Sequence, residues 1–153
     1  MKPGGVIPAV SQFLRKPFAE QRIYAEALLL TAIFRFMILF LPFRVLLRFL
    51  GKTVAVEDNG HGSAAISPEV LPVIRAVKAV SRRVPWDSKC LVQASAGKIM
   101  LRRRGIAGII HLGVRRDLTR SKAMKPHAWL TSDGQVLLGG GRLDQYAEVS
   151  RIR

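Results

Sequence analysis

Apolar residues run almost without a break from Ala27 to Leu50, interrupted by Arg35, Arg44, Arg48 and Pro42. The pattern predicts a helical hairpin. Pro42 cannot continue a helix and restricts the residue before it, so the first helix should end or kink near Leu41. Gly51 is placed to stop the second. Glu20 and Glu26 near the start and Arg44 and Arg48 near the end suit the helix dipole. A membrane-spanning helix needs about 20 apolar residues with few charges. Arg35 falls mid-span, where a charge is costly. A soluble or interfacial hairpin is therefore expected over residues 1–56, with a single-pass anchor as the lesser option. Residues 57–65 have a Gly, Asn and Ser cluster without periodicity and read as a linker. His61 lies in it and reads as a solvated loop residue.

From residue 66 onward one domain is expected, to residue 153. Ser67 is a candidate N-cap and Pro68 suits the first helical position. Val70, Val73, Ile74, Val77 and Val80 follow at helical spacing, with Pro72 delaying the regular part to about Leu71. Val84-Pro85-Trp86 breaks the run. A second helix is predicted over Ser88–Arg104, capped by Asp87 or Ser88, with Arg102, Arg103 and Arg104 at its C-terminal end and Gly105 closing it.

After Gly105 the period changes from helical to two. Ile110, Leu112 and Val114 fall on one face of a strand, and Ile109, His111 and Gly113 on the other. His111 is expected to be packed rather than to be a ligand. Residues 115–125 read as a loop. His127–Thr131 and Gln135–Leu138 are strands joined by Asp133-Gly134, a strong two-residue hairpin signal. Gly139-Gly140-Gly141 ends the second, and Tyr146–Val149 adds a short further piece. Helices first and an antiparallel sheet afterwards predict an α+β fold.

Charge changes this picture little. Lys plus Arg number 25 against 10 Asp plus Glu, a net charge of +15. Such a field attracts anions of any kind. No recognition helix, zinc finger or RNA-binding aromatic motif accompanies it, so a solvated basic surface is expected and not a nucleic-acid site. The triple Arg has a sufficient role at its helix end. The first 16 residues lack an apolar core followed by a small-residue cleavage site, which points to a cytoplasmic protein, with contact to a membrane surface left open by the apolar hairpin.

The single cysteine excludes an internal disulfide and any multi-cysteine zinc site. Neither a metal nor a cofactor is expected. Cys90 falls in the first turn of its helix, where unpaired amides and the dipole favour a thiolate, the reactive form. Ala94 and Gly97 follow on the same face, which allows close packing on a sheet. His127 opens a later strand. A thiol at a helix start and an imidazole on a following antiparallel strand is the layout of papain-like and transglutaminase-like enzymes.

The stretches Val84-Pro-Trp-Asp-Ser-Lys-Cys-Leu91, Leu101-Arg-Arg-Arg-Gly105, Leu112-Gly-Val114, His127-Ala-Trp129 and Asp133-Gly134 occur in an order and spacing that resemble the leader peptidases of lasso-peptide biosynthesis. Glu20-Gln-Arg and Leu41-Pro-Phe-Arg44 are similar to that family's helical extension. The resemblance covers about Ala19 to Ile152. It implies a cysteine peptidase of transglutaminase-like fold, with Cys90 as nucleophile and His127 as base. It also implies three partners: the leader of a ribosomally made precursor peptide, a separate leader-recognition protein, and a lasso cyclase. The family often places an acid about a dozen residues after the histidine; here that place holds Gly139 or Gly140. The third catalytic member is then Asp144, folded back, or none, with a backbone carbonyl or amide orienting the ring. The competing expectation is a non-catalytic binding or scaffold module of the same fold at a membrane surface.

Overall fold

The computed structural model describes residues 14–55, 66–116 and 124–153. His61 and the linker 57–65 lie outside the described residues. The apolar hairpin is α1 (Phe18–Phe40) and α2 (Phe43–Leu50), split by Leu41-Pro42 and stopped at Gly51, whose φ is 138°. A two-residue strand not foreseen in the sequence, β1 (Thr53–Val54), follows at once. A 3-10 turn, Pro68–Val70, leads into α3 (Leu71–Ser81). The turn takes Pro68 at its start, Pro72 falls in the first turn of α3, and Ser67 makes no side-chain cap bond.

The next helix, α4 (Cys90–Arg102), starts two residues later than the predicted Ser88. Neither Asp87 nor Ser88 caps it. Ser88 Oγ is instead paired with Ser81 Oγ at 2.9 Å, and its carbonyl accepts from Gln93 Nε2 at 2.7 Å. These bonds tie the end of α3 to the start of α4. The basic C-terminal run is structural as well: Arg103 and Arg104 meet Glu26 of α1 at 3.1 and 2.8 Å, and Arg102 donates to the Phe49 carbonyl.

The sheet has strands β2 (Ile109–Arg116), β3 (Met124–Ser132), β4 (Gln135–Leu138) and β5 (Ala147–Ile152) besides β1, in the order β1-β5-β2-β3-β4, with all pairs antiparallel. β2 and β3 extend further than the sequence suggested, because Arg115 and Arg116 pair with Lys125 and Met124 despite their polarity. The short further piece expected at Tyr146–Val149 is β5, which runs to Ile152 and inserts between β1 and β2. Asp133 and Gly134 both have positive φ, 48° and 76°, as a type I′ turn requires.

One face of the sheet is apolar. Ile110, Leu130, Ala128, Leu138 and Ile152 join Val92, Ala94, Met100 and Leu101 of α4 in a continuous core. Gly97 permits this contact, since a Cβ there would lie 2.6 Å from Leu138 and 2.9 Å from Leu130. α1 packs in turn on α3 and α4. Lys98 is buried among these groups, and its ammonium donates to the Gly108 and Ile152 carbonyls.

Candidate active site

Cys90 is the first residue of α4, half-buried and free. No side chain caps that end. The amides of the first turn therefore remain available to a negative charge.

α4 runs alongside β3 in the same direction. Gly97 sits over Leu130 and Leu138, while Lys98 and Leu101 reach towards Gly108, at the end of β3 marked by Thr131. Cys90 is seven residues back along the helix from Gly97 and His127 three back along the strand from Leu130. At helical and strand rises each is a step of roughly 10 Å. The thiol and the imidazole thus sit at the same end of the layer.

They are not hydrogen-bonded to each other. His127 alternates with Ala128 and Leu130, which face the helix, and shares the opposite face with Trp129 and Thr131. Its ring lies against Trp129 at 6.1 Å and Tyr146 at 4.8 Å between centroids. Its Nε2 is 2.7 Å from the Gly139 carbonyl oxygen. A carbonyl only accepts, so Nε2 carries a proton, and in the neutral ring Nδ1 is the nitrogen with the lone pair. The ring is half-buried and held in the tautomer a base acting through Nδ1 needs.

The carbonyl that holds the ring arises from a register shift. The hairpin pairs Ser132 with Gln135 and Thr131 with Val136, as a two-residue turn dictates. A bulge then pairs Leu130 with Leu138, where strict alternation would have set Trp129 there and His127 opposite Gly140. The shift draws Gly139 in against Ala128 and Trp129. Its φ is 73°, and a Cβ would stand 2.4 Å from the Ala128 oxygen. Asp144 is exposed in the 3-10 turn Leu143–Gln145 and has no hydrogen bond or ion pair among the described residues. Asp133 is exposed at the hairpin tip.

Between the start of α4, the end of α3 and the Gly139-Gly140 turn lies an open groove of about 400 Å³, lined by Lys78, Ser81, Arg82, Gln93, Gly139 and Gly140. It adjoins both the carbonyl that holds His127 and the turn of α4 after Cys90. Lys78 and Arg82 supply positive charge, and no carboxylate lines it.

The outer face of the sheet carries a polar cluster that sequence reasoning did not assemble. His111 is buried, as expected. Its Nδ1 donates to Glu148 Oε1 at 2.5 Å, and its Nε2 meets Thr131 Oγ1 at 2.8 Å. Glu148 also accepts from Arg151 Nε at 2.7 Å and Nη2 at 3.1 Å. Burial raises the Glu148 carboxyl, but the hydrogen bonds from Arg151 and His111 outweigh it and hold the group below its usual value. His111 stacks on Trp129 with centroids 5.3 Å apart, so this cluster backs the ring that supports His127. The signal available in the sequence was the spacing of Glu148 and Arg151. A bulge between Leu112 and Gly113 brings both to the face of His111. No group of three or more metal-ligating side chains occurs among the described residues.

A helix that begins with the chain's only cysteine, laid on one face of an antiparallel sheet, is an α+β arrangement of the thiol-enzyme kind, with the histidine of the adjoining strand turned to the other face. The chain belongs to the transglutaminase-like superfamily, whose profile matches residues 37–151. That superfamily is generally a cysteine-based catalytic fold, typically of peptidases and acyltransferases. Neither a curated protein nor a solved structure matches the chain.

Proposed function

We propose that the protein is a cysteine peptidase that removes the leader from a ribosomally made, lasso-type precursor peptide. The observation that supports the reading is the sole cysteine at the uncapped first residue of α4 in a chain of the transglutaminase-like superfamily. In this reading the His127 ring turns from the outer face around the end of the sheet to take the Cys90 proton, and the sulfur attacks the scissile carbonyl. The uncapped amides of α4 receive the developing oxyanion. His127 returns the proton to the leaving amine as the C–N bond breaks, and water then hydrolyses the Cys90 acyl-enzyme. The groove beside Gly139 suits an extended peptide, with the exposed glycine backbone offering main-chain hydrogen bonds. A separate leader-recognition protein delivers the substrate, and a cyclase uses the freed amine.

The test is leader removal followed by mass spectrometry, with the full chain, the precursor and the leader-recognition protein together. Cys90→Ala and His127→Ala should each abolish cleavage, and a trapped acyl-enzyme should map to Cys90. Cleavage at the wild-type rate by folded Cys90→Ala ends this reading.

One observation favours a second reading, a non-catalytic binding module: Cys90 and His127 share no hydrogen bond, and the His127 ring lies on the sheet face away from α4. Iodoacetamide separates the two. A catalytic thiolate is alkylated quickly near neutral pH and slows in His127→Ala, whereas an inert thiol reacts slowly in both.

A further inference from the structure

From Ala27 to Phe40 α1 carries one charged residue, Arg35, and the protein covers only one side of it. Ala27, Thr31, Phe34 and Met37 form the buried stripe against α3 and α4. On the opposite side Phe18, Leu29, Ile33, Phe36, Leu39 and Phe40 are 41–74 % exposed. At about 200 Å² for each large apolar side chain these amount to on the order of 700 Å², above the few hundred of an ordinary monomer surface. The rings of Phe36 and Phe40 lie together, 4.6 Å between centroids. Phe43 and Phe49 of α2 extend the exposed apolar surface. The superfamily match begins only at residue 37, so most of this face lies outside the matched domain.

We propose that the outer face of α1 docks the protein on an anionic lipid surface, with the helix lying in the interface plane. Charge selects the occupant. From Ala27 to Val56 the chain has no acidic residue, and Arg44 and Arg48 are exposed on α2 beside the apolar face. Of the two acids earlier in α1, Glu20 is paired with Lys16 and Glu26 with Arg103 and Arg104. A second copy would bring another net charge of +15 against this one, whereas anionic headgroups neutralise it. The buried stripe opposes spanning: crossing a bilayer would strip Phe34 and Met37 from α3 and α4. A helix with one apolar side in the domain and one facing out, flanked by Arg, fits an interfacial anchor.

The experiment is sedimentation of the full-length protein with phosphatidylcholine vesicles, with and without phosphatidylglycerol. Binding should be at least about tenfold tighter to the anionic vesicles and weaken with added salt. Phe36→Asp with Phe40→Asp should lower it by a further tenfold or more, at unchanged circular dichroism. Equal binding of wild type to neutral and anionic vesicles overturns the proposal whatever the variant's folding. So does undiminished binding of the double variant, retention in the bilayer after alkaline carbonate extraction, which marks a span, or a stable dimer that the same substitutions dissolve.

Discussion

Replacing Gly139 by Ala tests the link between backbone geometry and the candidate site. Two costs are separable. A non-glycine residue at φ 73° is left-handed, which costs roughly 1 kcal/mol. The added Cβ would also meet the Ala128 oxygen at 2.4 Å and the Trp129 Cα at 2.9 Å. Both are backbone atoms or fixed to it, so no rotamer change relieves the contact and β3 must part from the Gly139 turn. Strain of this kind costs about 1–3 kcal/mol. The combined loss of about 2–4 kcal/mol should lower the melting temperature by about 5–15 °C for a chain of this length. The same movement carries the Gly139 carbonyl away from His127 Nε2. The tautomer is then no longer fixed, and ¹⁵N shifts of the ring should show mixed Nδ1–H and Nε2–H forms where wild type shows Nε2–H alone. Thermal melts and imidazole NMR on one sample read both effects. An Ala variant with an unchanged melting point and a single Nε2–H tautomer would refute the reasoning. Gly140→Ala is the control: the nearest atom to its Cβ is Val136 at 3.6 Å, and no φ in the left-handed region is involved, so it should be nearly neutral.

Three further outcomes are expected. Burial, with Arg102 adding to it, holds Lys98 below its ordinary value of 10.5, so the unfolded chain binds the extra proton first and stability rises with pH between the lowered value and 10.5. Lys98→Met should lose that alkaline rise in urea melts and cost about 1–3 kcal/mol through the orphaned Gly108 and Ile152 carbonyls. Glu148 has the same sign of slope at acid pH: its lowered carboxyl contributes stability above its usual value, lost as pH falls through the lowered one. Glu148→Gln should destabilise by about 2–4 kcal/mol at neutral pH and progressively less in acid, and an equal penalty at pH 2 and pH 7 would contradict the assignment. Asp144→Ala, at an exposed residue without a partner, should leave any Cys90-dependent activity within about twofold.

The elements legible in the sequence were those with strong local signals. Pro42 and Gly51 bound the hairpin helices, Asp133-Gly134 sets the β-turn, and alternation from Ile109 to Val114 assigns the two faces of β2. Less legible was whatever a bulge decides. Strict alternation from the turn puts His127 opposite Gly140. One extra residue on β4 puts the Gly139 carbonyl at the ring instead, and nothing local in Val136-Leu137-Leu138 announces it. The short β1 was missed because two residues carry no periodicity; its pairing with Arg151 and Ile152 is a tertiary fact. The caps at Ser67 and Ser88 were expected from residue type alone. Their competitors were a proline-led 3-10 turn in one case and the Ser81 hydroxyl in the other, both fixed by how α3 and α4 meet.

The glycine at the place where the lasso-peptidase resemblance would set an acid has a chemical consequence. A carboxylate beside an imidazole both orients it and stabilises its charged form. The Gly139 carbonyl, on a left-handed residue pressed against β3, orients the ring with less freedom than a side chain has. It carries only a partial charge, however, and stabilises an imidazolium less. The anchor fixes the tautomer of His127 while holding its ring on the face away from α4. The compensating charge would have to come from elsewhere, and the uncapped start of α4 is where the fold supplies it. This division of labour fits a thiol placed at the first residue of an uncapped helix. A side-chain cap at Lys89 would engage the same amides and compete with the thiolate and the oxyanion. The late start of α4 leaves amides free beside the sulfur, and the bulge in β4 moves a carbonyl to the His127 ring.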